Sequence, residues 1–391
     1  MTSITRYKKG NVHLNIPAHL QRINHWLRNR ETLTAALLYA AAVVALFAPV
    51  TFLGRTLQSP PYLPNGVTDS GAYGYEGRLP VNTFNIEMSS AAYYEWPINI
   101  LVGHFYRQGE APLWNPYQGT GMPLAAQYST RAFFPYQILI DVMPTWTWDY
   151  FFLGRLWIAG FFTFLFLKLL GVWRPAAFLG GIFYMFSGSF VWFINFEQMV
   201  NVAMVVPTLL WTAEGLWRWR WSTGVAGMAM AVGLTLLAGQ PEVAFFILLL
   251  PAIYVGFRLM GTEAKDRLRM AVLAIIGTAI GAMLAAPVLM LFLELEQQAW
   301  SLHGTHATMG TQGVPPLAVA LQIVFPTIFE MPTWQRFFPD NGWWDFTGGY
   351  TGILLPYLIL VGGALGFLQV KSPWRGLFLL FAGFSIVMLL K

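Results

Sequence analysis

Apolar runs of about 17–25 residues, long enough to cross a ~30 Å hydrocarbon layer as a helix, recur near 33–53, 150–170, 176–195, 198–217, 223–239, 243–260, 270–292, 350–370 and 376–391. The pattern predicts an all-α polytopic membrane protein with nine transmembrane helices. Close pairs of runs are divided at Arg174–Pro175 and at Gly239–Glu242. Two polar stretches are too long to be turns: one, 54–149, follows the first run, and the other covers 293–349. Loops beyond about 12–15 residues without regular structure are usually functional or disordered. The first stretch is dense in Trp, Tyr and Phe, which argues against disorder. Within it, AAYYEWPINILVGHFYRQ and TRAFFPYQILIDVM have amphipathic spacing and predict helices resting on the membrane face, the second broken at Pro135.

Composition agrees with this pattern. The 391 residues are 56% hydrophobic and only 10% charged, with a mean hydropathy of +0.52, which excludes an ordinary soluble protein. There is no cysteine, so disulfides, thiolate metal sites and cysteine nucleophiles are excluded as well. The net charge of +5 is sorted by side rather than massed, and nucleic acid is not an expected partner. With a cytoplasmic N-terminus, the inner segments collect Arg6, Lys8, Lys9, Arg22, Arg28 and Arg30 of the tail 1–32, then Lys168, Arg174, Arg218, Arg220, Arg258, Lys265, Arg267, Arg269, Lys371 and Arg375. That is the positive-inside pattern. All carboxylates except Glu31, Glu214, Glu263 and Asp266 then fall outside, which is where the chemistry is expected.

Ile16, Leu20, Ile23 and Leu27 recur at helical spacing beside Arg22, Trp26 and Arg28, the pattern of a short helix on an anionic membrane surface. The basic tail ahead of the first run fits a retained signal-anchor better than a cleaved signal peptide. Lys391 closes the sequence inside an apolar run, and a continuation of the chain beyond it is expected.

The segment PLWNPYQGTGMPLAAQ, followed by FFPYQIL, resembles the bacterial YfhO-type membrane proteins, a family of the GT-C glycosyltransferase superfamily. Further points of resemblance are LLAGQPEVAFF from Leu236, AAPVLMLFLEL from Ala285 and GGYTGILLPYLIL from Gly348, in the same order along the chain. The resemblance implies a GT-C-like domain over 33–391 in the bacterial cytoplasmic (inner) membrane. It further implies an enzyme that transfers a sugar from a polyprenyl-phosphate carrier to an acceptor on the outer face, with an acidic residue of the first outer loop at the reaction centre. Counting back from Pro97, the position where the family carries an Asp is Ser90 here, with Glu87 and Glu95 the nearest acids and Asp69 and Glu76 upstream.

Such a transfer needs a base for the acceptor hydroxyl, a cationic partner for the departing phosphate and a pocket for the sugar. Glu87, just before the first surface helix, and Asp69, between Gly66 and Gly71, are the candidate catalytic carboxylates; each also reads as a solvated loop acid. The cation is either a bound divalent metal ion or an Arg. Arg131 is placed to meet a lipid-borne phosphate at headgroup level, or to snorkel there, and Arg336 closes the same site from the second loop. His303 and His306 lie in a loop-like sequence, a weak metal signal. Trp114 and Asn115 offer an aromatic platform and an amide for a sugar ring, amid Pro and Gly that read as scaffold. Acids at membrane edges are costly and draw attention to Glu197 and Glu242. Glu242 is the stronger of the two, because Gly239 and Pro241 open the backbone beside it, although it also reads as the N-terminal acid of the next helix.

Two other readings stay open. A non-catalytic GT-C-like subunit of a membrane complex, with other membrane subunits as partners, follows from Ser90. A transporter would show internal repeats and charged residues clustered near the middle of its spans, and neither a clear repeat nor a mid-span charge cluster is evident.

Overall fold

The computed structural model describes residues 30–58, 91–194, 196–239 and 241–298. The amino-terminal tail, Asp69 and Glu87 of the first polar stretch, His303, His306 and Arg336 of the second, and the runs at 350–370 and 376–391 lie outside the described residues.

The described chain is mostly helical, and four of its helices are long and apolar enough to cross a membrane: Thr145–Leu169, Glu197–Arg218, Pro241–Met260 and Ala264–Gln298. With no water in hydrocarbon to satisfy the backbone, a helix is the form that such runs must take. In chain order, α1 (Glu31–Leu46) and α2 (Ala48–Phe52) cover the first run. They meet at Phe47, where Pro49 in the first turn of α2 cannot continue the ladder of α1. A single π turn, Ala91–Glu95, leads into α3 (Trp96–Arg107). A two-stranded antiparallel hairpin of β1 (Trp114–Asn115) and β2 (Met122–Pro123) follows, then α4 (Pro135–Val142).

The remaining elements are α5 (Trp148–Leu169), α6 (Arg174–Met185), α7 (Gly188–Trp192), α8 (Glu197–Arg218), α9 (Trp221–Leu237), α10 (Pro241–Met260) and α11 (Ala264–Gln298). The run at 176–195 is thus two helices and not one, interrupted at Phe186–Ser187, where neither residue continues α6. The segment from Thr130 to Met143 also differs from expectation. Pro135 starts α4 instead of breaking a longer helix, because proline suits the first turn, where its missing N–H is not needed.

The main core joins α1, α5, α6, α8, α9 and α10. Tyr39 of α1 is fully buried, stacks on Phe178 of α6 with ring centroids 4.7 Å apart and donates to the Phe178 carbonyl at 2.9 Å. Trp157 of α5 donates to the Ala36 carbonyl at 2.8 Å, which ties α5 to α1 as well. α9 lies close against α11 at Gly281, where an added Cβ would stand 2.6 Å from the Ala229 carbonyl oxygen, the small-residue contact by which membrane helices approach. A separate apolar cluster ties α3 to Leu124, Ala125 and Ala132 of the first polar stretch. Leu291 of α11 packs against the same cluster, so these contacts also hold the stretch against that helix.

Candidate functional site

Where the first polar stretch meets α5 and α8, five ionisable side chains are buried together. Glu95 closes the π turn, Arg131 follows a 3-10 turn at Tyr128–Thr130, Asp141 sits on α4, Arg155 on α5 and Glu197 at the start of α8. All five are at most 2% exposed. Buried charges persist only when paired and hydrogen-bonded, and the bonding here is extensive.

Arg131 forms an ion pair with Glu95 through Nη1 and donates from Nη2 to Asn99 Oδ1 at 2.7 Å. Asn99 passes the contact on through its own amide, donating to Glu197 Oε1. The other Glu197 oxygen pairs with Arg155 Nη2. That nitrogen also donates to Gln137 Oε1 at 3.1 Å, and Asn201 Nδ2 reaches the same oxygen at 3.1 Å. Gln137 donates in turn to Asp141 Oδ1 at 2.9 Å, one helical turn on. The chain of contacts runs from α3 through α8 and α5 to α4, so none of these elements can shift without breaking a buried polar bond.

The protonation states follow from burial. It pushes the Glu95 carboxyl up to about 7, with Arg131 opposing and Glu197 reinforcing the rise. Asp141 is pushed well above the usual carboxylate range, first by burial and then by Glu197. Burial works against the Arg131 cation, but Glu95, Glu197 and Asp141 outweigh it and hold its pKa above the ordinary value. Several buried atoms of the cluster have no hydrogen-bond partner: Glu95 Oε1, Arg131 Nε, Asp141 Oδ2, Arg155 Nε and Nη1, and Asn201 Oδ1. Native interiors leave few polar atoms in that state.

Arg131 is also strained. Its φ of 53° and ψ of 24° place it in the left-handed region, the one non-glycine residue with positive φ among the described residues. Such a backbone costs on the order of 1–3 kcal/mol and tends to be kept where function requires it.

The structure brings only part of the expected set together. Arg131 is in the cluster, but it is sealed and paired with Glu95 instead of lying open at headgroup level. Asn115 spends its carboxamide oxygen on the Tyr117 N–H at 2.9 Å, which shapes the hairpin turn. Trp114 packs over Gly121 and remains half exposed. Glu242 is an exposed acid in the first turn of α10, outside the cluster. Among the described residues no group of three His, Cys, Asp or Glu is placed to hold a metal ion. Glu95, Asp141 and Glu197 are bonded to Arg131, Gln137 and Arg155.

Asn99, Gln137, Asp141, Arg155 and Asn201 are members that the hydropathy pattern did not single out. Spacing carried a signal: Gln137 and Asp141, and again Glu197 and Asn201, stand four apart and share a helix face. Arg155 is the eighth residue of α5, the one charged residue between Asp149 and Lys168.

Compared with known proteins, the chain matches no family model, no curated protein and no solved structure.

Proposed function

We propose that this protein is a GT-C-like glycosyltransferase of the bacterial cytoplasmic membrane, with nine spans, a cytoplasmic N-terminus and the first polar stretch on the outer face. It would transfer a sugar from a polyprenyl-phosphate carrier to an acceptor there. The observation that carries the proposal is the burial of Glu95, Arg131, Asp141, Arg155 and Glu197 at one junction of that stretch with two membrane helices. Buried ionisable groups are expensive, and clusters of perturbed ones mark functional sites.

In this reading Glu95 takes the role assigned by the resemblance to an acid of the first loop. A carboxyl that titrates near neutral pH is matched to general-base work. The donor phosphate displaces the Glu95 carboxylate from Arg131. Glu95 then accepts the proton of the acceptor hydroxyl as that oxygen attacks the anomeric carbon. The bond from that carbon to the phosphate oxygen breaks, and polyprenyl phosphate leaves with the electron pair, its charge met by Arg131. Asp69, Glu87 and Arg336 remain candidates for the same centre, and Trp114 for the sugar. The purified chain, reconstituted in lipid vesicles with a labelled polyprenyl-phosphate sugar and an acceptor extract, tests the proposal. Transfer lost in Glu95→Gln supports Glu95 as base; transfer lost only in Asp69→Asn or Glu87→Gln moves the base upstream.

One observation favours a second reading. Both buried arginines are already matched by buried carboxylates, so the cluster serves equally as a rigid joint in a non-catalytic subunit. Purification at native expression level separates the two: stoichiometric partner proteins support the subunit, and a lone chain carrying lipid-linked sugar supports the enzyme.

A further inference from the structure

The break between α9 and α10 reaches the cluster from outside the elements that build it. α9 ends at Leu237, Gly239 follows with a φ of +111°, and α10 begins at Pro241. That φ belongs to a region that residues with a Cβ rarely enter. Space at Gly239 is closed as well. A Cβ built there would overlap Arg131 Cγ and stand 2.8 Å from Cδ and 3.4 Å from Cβ. The aliphatic stem of Arg131 therefore lies across the bare backbone of Gly239.

A second contact fixes the same register. Tyr128, three residues before Arg131, donates its hydroxyl to the Leu236 carbonyl, one of those left without a helical partner at the end of α9. The Tyr128 ring also meets Phe292 of α11 edge-on, with centroids 5.1 Å apart. The turn that carries Arg131 in its left-handed conformation is thus keyed into the ends of two membrane helices.

We infer that Gly239 is a positioning residue for Arg131, and that through it the α9–α10 break controls whether Arg131 stands beside Glu95. Moving the break away from the turn withdraws the guanidinium from the carboxylate. Conversely, an anionic group that engages Arg131 holds the break in place. The inference deepens the proposed site by naming its control element, and it rests on the proposed reaction only for its activity readout. The charged groups acting on Glu95 are Arg131 beside it, Glu197 of α8 and Arg155 of α5. Of these, Arg131 is the one in contact with Gly239.

The test is a double-mutant cycle on the full chain in lipid nanodiscs. It reads the unfolding midpoint and the pH at which the Glu95 carboxyl ionises, followed by infrared difference spectroscopy and assigned by its loss in Glu95→Gln. Gly239→Ala is expected to lower the midpoint by several degrees when Arg131 is present. In an Arg131→Ala/Glu95→Gln background, which removes Cγ and Cδ without leaving a bare buried carboxylate, the drop shrinks to the backbone strain alone. In Gly239→Ala, Glu95 is expected to ionise at a higher pH than in the native chain, because the cation that draws off its proton has moved. Equal drops in both backgrounds with unchanged Glu95 ionisation overturn the inference. Should Gly239→Ala fail to fold, Tyr128→Phe supplies the same test: Glu95 ionisation shifted upward supports the coupling, and ionisation unchanged overturns it. If the coupling holds while no form transfers sugar, the positioning role stands and the glycosyltransferase reading fails. If the native chain transfers sugar and the mutations are additive, the glycosyltransferase reading stands and the positioning role fails.

Discussion

Helix α8 carries a buried acid near each end, and the two are neutralised in opposite ways. Glu197 and Glu214 are 17 residues apart in sequence, roughly 25 Å along a helix, close to the thickness of a hydrocarbon layer. Glu214 is met by Arg218 one turn further on at 2.7 Å, by Arg258 of α10 at 2.9 Å and by the Tyr254 hydroxyl at 2.6 Å. Both arginines reach outward, 47% and 22% exposed, and Arg258 lies over the Trp217 ring at 5.2 Å. That is ordinary snorkelling, in which the acid is buried but its cations stay near water. Glu197, by contrast, depends on Arg155 of a different helix and on Asn99 of the first polar stretch, and every member of its cluster is closed off. A buried acid whose cations, one on its own helix and one on α10, keep contact with water therefore makes a stable end. One bonded through Asn99 to the first polar stretch makes an end whose electrostatics change when that stretch moves.

The largest effect should come from the sealed end. Arg155→Met leaves Glu197 without its cation and should cost about 3–5 kcal/mol in chemical unfolding, whereas Arg155→Met/Glu197→Gln should recover most of that loss. An equal loss in both variants would show that packing, not charge, holds this joint.

The pH dependence separates the two ends next. Glu95 binds its proton more tightly folded than unfolded, so stability is greatest below about 4.5 and is lost as pH rises to about 7. Asp141 adds a slope of the same sign, starting from its ordinary value near 3.8. Unfolding midpoints across that window should therefore fall in the native chain, fall less in Glu95→Gln, and keep the full slope in Tyr254→Phe at the opposite end. Tyr254→Phe should itself cost about 1 kcal/mol, the usual worth of one hydrogen bond. Arg218→Ala comes last: a half-exposed partner contributes within about 1 kcal/mol. A cost for Arg218→Ala as large as that for Arg155→Met would erase the difference between the two ends.

Much of the helix layout was legible because hydrocarbon leaves the chain little choice. The runs at 150–170, 198–217, 223–239, 243–260 and 270–292 coincide with α5, α8, α9, α10 and α11 to within a few residues at most ends. Length failed where local chemistry intervened, as at Pro49 between α1 and α2 and at Ser187 between α6 and α7. At the site, Arg131 was legible as a candidate but its setting was not, since nothing in an arginine announces a left-handed turn. Counting charges by side assigns Arg155 and Glu197 to a face but cannot report depth, so two groups at the centre of the cluster read as rim. Gly239 and Pro241 pointed to a real opening in the backbone, yet what fills it is the Arg131 stem and not Glu242. Asp69, Glu87 and Arg336 lie outside the described residues.

The most direct measurement sets the two ends against each other in one assay. Folded Glu95→Gln and Glu214→Gln chains, matched for thermal stability in vesicles, are given the labelled polyprenyl-phosphate sugar and acceptor. Loss of transfer in Glu95→Gln with transfer retained in Glu214→Gln is the predicted result; full transfer by Glu95→Gln would contradict the account.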